Sequence, residues 1–448
     1  MIANKTSPEP LSGNGGHTMK AFLTKLSALL AVVVLLASPS PAAAAGKRVI
    51  ITFKSKASLA ARTKALTAMG AKALTNIASN GNGDNEFVAI VAELGPQAAP
   101  STSRATVGGR SSMSLIPDVS KEDILSVEAD YKVKWIEAAP SFQASQLPSL
   151  GSFMGGLPKF TPTGVKMPAS SRPELTWGID AVHAPAAWDT TEGAGVRVAI
   201  IDTGINTKHK DLQGKVDGGY DAISKSEQAD AYQDQNGHGT HVAGTVGALR
   251  DGKGVVGVAP KARLYAVRVL DADGSGSLSD VIDGIIWCAN NGIQVANMSL
   301  GSSQPSDTMR RALAYAKSRG VVVVAAAGNS GGAVGYPGAY PEVIGVAASD
   351  SDGKLASFSS RGPEVDFIAP GVYVVSTAMD GGYANFSGTS MAAPHMAGIV
   401  ALAVSQGWVG LDGPDGVMAQ LKKAAKPLPG LTAEQQGAGL VDAGKLVR

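Results

Sequence analysis

Five short, almost wholly apolar runs punctuate the second half of the chain, over 196–201, 264–269, 295–298, 321–327 and 343–347. Runs of this length without polar alternation suit strands buried on both faces of a parallel sheet. Between them, apolar positions recur with helical spacing over 238–249, 278–289 and 308–318. Strand–helix alternation sustained over about 270 residues predicts one α/β domain, a doubly wound, mostly parallel sheet, spanning 173–448. Ligands of such folds collect beyond the carboxyl ends of the strands, which is where chemistry is expected.

Upstream the pattern is smaller in scale. Residues 48–54 alternate, with Val49, Ile51 and Phe53 on one face, and 57–69 read as a helix stopped by Gly70. Two strands, 72–77 and 86–94, flank the turn cluster N80-G-N-G-D84. Ser120-Lys-Glu-Asp123 has capping-box spacing for a helix over 120–129, and 131–137 alternates as a last strand. The order β-α-β-β-α-β is the split ferredoxin-like arrangement, so a small α+β unit is expected over 46–140, with a Ser/Gly/Pro-rich loop at 95–119. Residues 141–172 read as a linker that a protease could cut.

Lys20 and Lys25 precede an apolar run over 26–37, then Ser-Pro-Ser-Pro and the alanines 42–45. This reads as a secretory signal over 19–45, cleaved near Ala45, with 1–18 as an upstream extension and Met19 the more natural start. The run is too short to span a bilayer comfortably, so export to the medium or periplasm, without stable membrane association, is expected. A membrane-anchored chain would instead retain this segment. A folded unit between an export signal and a large domain is a candidate pro-segment.

Composition narrows the classes further. The 448 residues include 55 glycines and are 44% hydrophobic and 17% charged, which suits a compact, loop-bearing enzyme. A net charge of +2 gives no electrostatic reason to expect nucleic acid. The single cysteine, Cys288, excludes an intrachain disulfide and reads as a small buried hydrophobe on a helix.

Three polar residues sit where strands or helices end. Asp202 follows the strand V196-R-V-A-I-I201, His238 opens a small-residue helix in N236-G-H-G-T-H-V-A-G244, and Ser390 opens another in G388-T-S-M-A-A-P-H-M-A-G398. Taken singly, the aspartate reads as a turn cap and the serine as an N-cap. His395 is no partner for Ser390: five residues along a helix turn it by about 140° and raise it ~7.5 Å, so its place is structural. His238, with Gly237 and Gly239 leaving room for a substrate, lies at a helix N-terminus that disfavours the imidazolium and keeps it available as a base. Asp202 would fix its tautomer and stabilise the cation formed on proton transfer. Asn329, in A325-A-A-G-N-S330, can offer an amide N–H to a developing oxyanion. H238-G-T-H241 lacks the glutamate and third ligand of a metal-hydrolase helix, so no catalytic metal is expected. An α/β-hydrolase would need G-x-S-x-G and a histidine late in the chain; this chain has G-T-S-M-A.

Together eight stretches resemble the subtilisin-like serine peptidases of the bacterial secreted type. They are I200-I-D-T-G-I205, N236-G-H-G-T-H-V-A-G-T245, Y265-A-V-R-V-L270, N297-M-S-L-G301, V322-V-V-A-A-A-G-N-S-G331, Tyr336-Pro-Gly-Ala-Tyr-Pro341, Phe358-Ser-Ser-Arg-Gly-Pro363 and G388-T-S-M-A-A-P-H395. The resemblance runs from about Trp177 to the carboxyl terminus. It implies an Asp202–His238–Ser390 triad, with Asn329 and the Ser390 backbone N–H as oxyanion donors. It also implies that Ser299, Leu300 and Gly301 pair with the substrate backbone, with Ala326 to Gly328 and Gly335 forming the S1 wall and floor. Leu270, Leu278 and Val281 would shape S2 and S4. With small residues and no acid lining S1, large apolar side chains are expected there, with broad tolerance. The resemblance further implies a structural Ca2+ held by Asp211, Asp251 and the carbonyls of Leu249, Lys253 and Val255, oxygen ligands that suit calcium. It makes 46–140 an inhibitory pro-segment, with V133-K-W-I-E-A138 like its closing strand. The chain is thus expected to be a secreted, monomeric endopeptidase acting on proteins and peptides. A catalytically idle binding scaffold would show an altered triad position, and none is altered.

Overall fold

The computed structural model describes residues 47–78, 86–94, 106–107, 110–111, 123–136 and 174–446. The expected extension 1–18, signal 19–45 and linker 141–172 lie outside the described residues. So does the 95–119 insertion, apart from a two-residue ladder between Thr106–Val107 and Arg110–Ser111.

In the upstream unit β1 (Lys47–Lys54), α1 (Leu59–Ala68), β2 (Ala71–Ala78) and β3 (Phe87–Leu94) form close to their expected places. The stretch read as a second helix is instead β4 (Ile124–Ala129), which pairs antiparallel with β1. The sheet order is β2-β3-β1-β4. Capping-box spacing pointed to a helix, but over 126–130 every second residue turns to the neighbouring domain. Val127 joins the unit's own core, while Ser126, Glu128 and Asp130 all bond to the neighbouring domain. Tertiary pairing overrides a local cap signal here. Residues 131–137 also depart from expectation. β5 (Lys132–Lys134) leaves this sheet and pairs with β9 (Ser275–Ser277) of the large domain. The six-element ferredoxin-like order is therefore not reproduced among the described residues.

The large domain is built on β6 (Arg197–Asp202), β7 (Val216–Asp221), β8 (Arg263–Arg268), β10 (Val295–Met298), β11 (Val322–Ala326), β12 (Ile344–Ser349) and β13 (Phe367–Pro370), all parallel. The short strands β16 (Ala425–Lys426) and β17 (Leu440–Val441) complete the order β16-β17-β13-β12-β11-β10-β6-β8-β7. Alternate residues of β6 face opposite layers. Val198 and Ile200 pack with α2 (His238–Gly247) and α5 (Thr389–Ser405), and Ala199 and Ile201 pack with α3 (Leu278–Asn290) and α4 (Asp307–Ser318). Strands buried on both sides have no polar face, hence their continuous apolar sequence. A hairpin of β14 (Val374–Thr377) and β15 (Tyr383–Phe386), which the sequence reading passed over, packs beside α2.

From β6 the chain builds β7 and β8 on one side, then crosses to β10 on the other. The carboxyl end of β6 is thus a topological switch point, and Asp202 is its last residue. α5 runs beneath β10 to β13 with every residue from Thr389 to Ala403 buried. Its small residues permit that closeness: a Cβ on Gly398 would lie 2.5 Å from the Val258 side chain.

The upstream unit sits on the outer side of α3 and α4. Ile50, Ile77, Phe87, Ala89 and Val91 share one apolar cluster with Ile282, Ile286 and Leu313. Burying side chains of this size stabilises by roughly 1.5–3 kcal/mol each. Polar contacts fix the register: the α3 amides of Leu278 and Ser279 donate to Tyr131 O (2.9 Å) and Asp130 Oδ1 (3.0 Å), and the α4 amide of Thr308 donates to Glu128 Oε1 (2.9 Å). Helix N-termini leave such N–H groups without intrahelical partners, and carboxylates there also meet the favourable end of the helix dipole.

Candidate active site

Asp202 is fully buried, and its carboxylate accepts from the Thr203 amide (Oδ1, 2.8 Å). His238 Nδ1 lies 2.9 and 3.0 Å from its two oxygens, so Nδ1–H donates to the carboxylate and Nε2 is left as the basic nitrogen. The glycines beside His238 have a more definite task than leaving room for a substrate. Gly237 has φ +107°, and a Cβ on Gly239 would lie 2.2 Å from Gly204 O. Only glycine lets the start of α2 press against the turn after β6, and that approach brings the imidazole to Asp202.

Asp234 organises this corner. Its Oδ1 accepts from Thr203 Oγ1 (2.8 Å) and the amides of Asn236 and Gly237 (2.9 Å each), and its Oδ2 from the Thr240 amide (2.9 Å) and hydroxyl (2.6 Å). Thr203 Oγ1 in turn accepts from the Gly239 amide (2.9 Å). Sequence reasoning passed Asp234 over. A usable signal was there: an acidic residue four positions ahead of a helix start whose own N-cap is glycine.

Ser390 stands in the first turn of α5. Its Oγ–H donates to Ser299 O (3.1 Å), while Ser299 Oγ–H donates back to Ser390 O (2.7 Å) and accepts from Asn297 Nδ2 (2.9 Å). Pro394 explains why Ser390 O is open to a side chain. It occupies the i+4 position and has no N–H to give that carbonyl. Ser299 is therefore buried and braces the Ser390 backbone, a task other than the substrate pairing expected of it. Asn329 Oδ1 accepts from the Thr389 amide and hydroxyl (2.9 Å each), which fixes the amide plane beside Ser390.

Two further histidines have other occupations. His395 Nδ1–H donates to Met391 O (2.8 Å), four residues back in α5, and burial pushes its pKa down to about 4. His241 Nε2–H reaches Val374 O (3.0 Å) and Ala384 O (3.2 Å), tying α2 to the β14–β15 hairpin, with the Phe386 ring stacked on it at 4.4 Å. Burial, then the neighbouring His238, pushes its pKa down to about 3. Cys288 is buried, and burial pushes its thiol well above the ordinary range.

Beside Ser390 and Asn329 opens a cavity of about 340 Å³ whose walls include Leu300, Gly301, Ala326, Gly328, Gly335 and Tyr336. Leu270, Leu278 and Val281 are buried in one cluster with Trp135 and Ile136. Those two residues follow β5 of the upstream unit, and Trp135 also lines the cavity. Gly301 N–H donates to Trp135 O (3.0 Å), Trp135 N–H to Gly274 O (3.0 Å) and Trp135 Nε1–H to Gly276 O (2.9 Å). This is β-strand addition, in which backbone bonds hold the strand and alternate side chains fill pockets.

Of the residues expected to hold calcium, Leu249 and Val255 bond to Asp211 through their amides. Leu249 N–H donates to Asp211 O (2.8 Å), and Asp211 Oδ2 accepts from the Val255 amide and the Tyr383 hydroxyl (2.9 Å each). Asp251 Oδ1 accepts from the Lys253 amide (3.0 Å), and Glu174 Oε2 from the Gly252 amide (2.7 Å). Among the described residues no three His, Cys, Asp or Glu side chains gather as a metal-ligand group. A cation here would rely on loop carbonyls with Asp211 and Asp251, a donor set whose chemistry fits calcium.

Residues 193–439, more than half of the chain, match the Subtilase family. Over 230 residues, 51% of this chain, it is 51% identical to M-protease of Shouchella clausii (strain KSM-K16), covering 59% of that protein, and 51% identical to Subtilisin Savinase of Lederbergia lenta, covering 83%. It is 46% identical over 273 residues, 60% of this chain, to Alkaline elastase YaB of Bacillus sp. (strain YaB), covering 69%. With this match lying on the carboxylate, imidazole and hydroxyl just described, the chain belongs to the subtilase family of serine peptidases.

Proposed function

We propose that the chain is a serine endopeptidase made as a pre-pro-enzyme and exported, with Asp202, His238 and Ser390 as its triad. The observation that carries this reading is the buried Asp202–His238 pair at the switch point; Ser390 and Asn329 together wall a cavity. Ser390 Oγ turns from Ser299 O toward His238 Nε2, loses its proton to that nitrogen and attacks the peptide carbonyl. The carbonyl oxygen becomes an oxyanion that Asn329 Nδ2 and the Ser390 amide stabilise. The imidazolium, held by Asp202, gives its proton to the leaving amine. Water then takes the same route through the acyl-enzyme.

The cavity beside Ser390 has small or apolar walls at Ala326, Gly328, Val334 and Gly335, which favours large apolar P1 side chains. The 47–136 unit acts as inhibitor: its cleft strand occupies the place a substrate would take, and its cleavage releases the enzyme. Asp211, Asp251 and the carbonyls of Leu249, Lys253 and Val255 would hold a calcium ion, which would brace this loop and supply nothing to the chemistry. No helix among the described residues is long and apolar enough to cross a membrane, and the functional unit is a monomer acting on protein and peptide substrates. Ser390→Ala tests the reading. It should abolish peptide hydrolysis and leave the pro-segment attached; undiminished hydrolysis by the variant contradicts it.

A further inference from the structure

The cleft strand carries a charge that the pockets do not use. Lys132 stands opposite Ser277 in the β5–β9 ladder, three residues ahead of the Trp135 carbonyl that Gly301 holds. Its ammonium reaches Asp271 Oδ2 at 2.6 Å. Asp271 lies in the turn that leads into β9, and its other oxygen accepts from the amides of Asp273 and Ser275 (3.0 Å each). The carboxylate is thus held in place by backbone amides before any ligand arrives, with Oδ2 directed at the incoming strand. The surroundings are acidic too. Asp271 foremost, and then Asp273 and Asp280, raise the pKa of Lys132 above the ordinary lysine range.

Asp280 has a cation of its own, Lys225, at 3.1 Å. For Asp271 the ion pair found among the described residues is with Lys132, so departure of the upstream unit leaves an oriented, unpaired carboxylate beside the cleft. We propose that Asp271 is a specificity-determining residue: it selects substrates carrying lysine or arginine at the position of Lys132, three residues before the one whose carbonyl Gly301 binds. This rests on the peptidase reading and extends it from the apolar pocket to a charged subsite upstream. The pair is partly exposed, at 62% for the lysine and 28% for the aspartate side chain, so its effect is that of a screened surface ion pair. That corresponds to a preference of about two- to five-fold in kcat/KM, expressed in KM and fading as salt rises toward about 1 M.

The test uses active enzyme obtained from the full chain and internally quenched peptides that reproduce residues 129–142, varied at 132 alone. Products are identified by mass to confirm a common cleavage point. With the unmodified enzyme, the lysine peptide should exceed alanine about two- to five-fold, and glutamate should fall below alanine. Asp271→Asn keeps an oxygen for the two turn amides while removing the charge, and it should bring all three peptides to parity. Asp273→Asn, which lacks the direct contact, should retain the ranking. Equal rates with the unmodified enzyme, or a lysine preference that survives Asp271→Asn, overturn the proposal. Failure to cleave any of the peptides, or casein, overturns the peptidase reading itself and the proposal with it.

Discussion

Replacing Asp130 by alanine should loosen the upstream unit from the large domain without touching the catalytic groups. The Asp130 side chain is fully buried and accepts from the Ser279 amide (3.0 Å) and hydroxyl (2.9 Å) at the start of α3, while also pairing with Arg48 (2.7 Å). Loss of a capping carboxylate costs about 0.5–2 kcal/mol, and the half-exposed Arg48 pair adds at most about 1 kcal/mol. A total of about 2 kcal/mol makes opening of the docked strand roughly 30-fold more frequent. Hydrogen exchange in a Ser390→Ala background, which keeps the chain uncut, reads this directly. The Leu278 and Gly301 amides, which donate to Tyr131 O and Trp135 O, should exchange roughly 30-fold faster, while amides of the β10–β11 ladder keep their protection. Unchanged exchange at Leu278 and Gly301 would refute the idea that these caps hold the unit in place.

Other consequences follow from the same contacts. Asp234→Ala removes the acceptor of five hydrogen bonds at the start of α2 and should lower stability by about 2–4 kcal/mol, with a further loss in kcat as His238 loses its fixed position; an unchanged melting temperature contradicts this. His395 and His241 are held neutral in the fold, with pKa values below that of the unfolded chain, so the unfolded state binds the extra protons. The stability they contribute is complete above about pH 6.5 and is lost as pH falls through about 4 for His395 and about 3 for His241. His395→Gln should flatten the fall in melting temperature between these pH values, and an identical profile argues against it. Chelation by EDTA should lower the melting temperature, and added calcium should restore it; no shift together with no calcium uptake in a direct titration removes calcium from the account.

The large domain was legible because strands buried on both faces and small-residue helices leave strong local signatures. Asp202 ends such a strand, and His238 and Ser390 open such helices, so their placement came with these elements. What escaped shows where local pattern ends. β7, with glycines at 218 and 219, carries no sustained apolar run and forms by pairing with the distant β8, while the strands of the hairpin β14–β15 are only four residues each. Residues 124–129 passed for a helix because the capping-box spacing is local, whereas their strand pairing with β1 and their contacts to α3 and α4 lie far along the chain. Asp234 and Asn297 work entirely through buried hydrogen bonds, which no periodicity records. Ser299 illustrates the same limit. Its bond to Ser390 O follows from the missing N–H of Pro394, a relation between residues more than ninety positions apart.

The central claim is that Ser390 is a nucleophile activated through His238 and Asp202. Intact-mass analysis after treatment of the processed enzyme with a fluorophosphonate tests it most directly. The account predicts one adduct, mapped to Ser390, lost in Ser390→Ala and formed far more slowly in Asp202→Asn, where the imidazole loses its tautomeric partner. No adduct, an adduct mapped to another residue, or undiminished labelling in Ser390→Ala would contradict it.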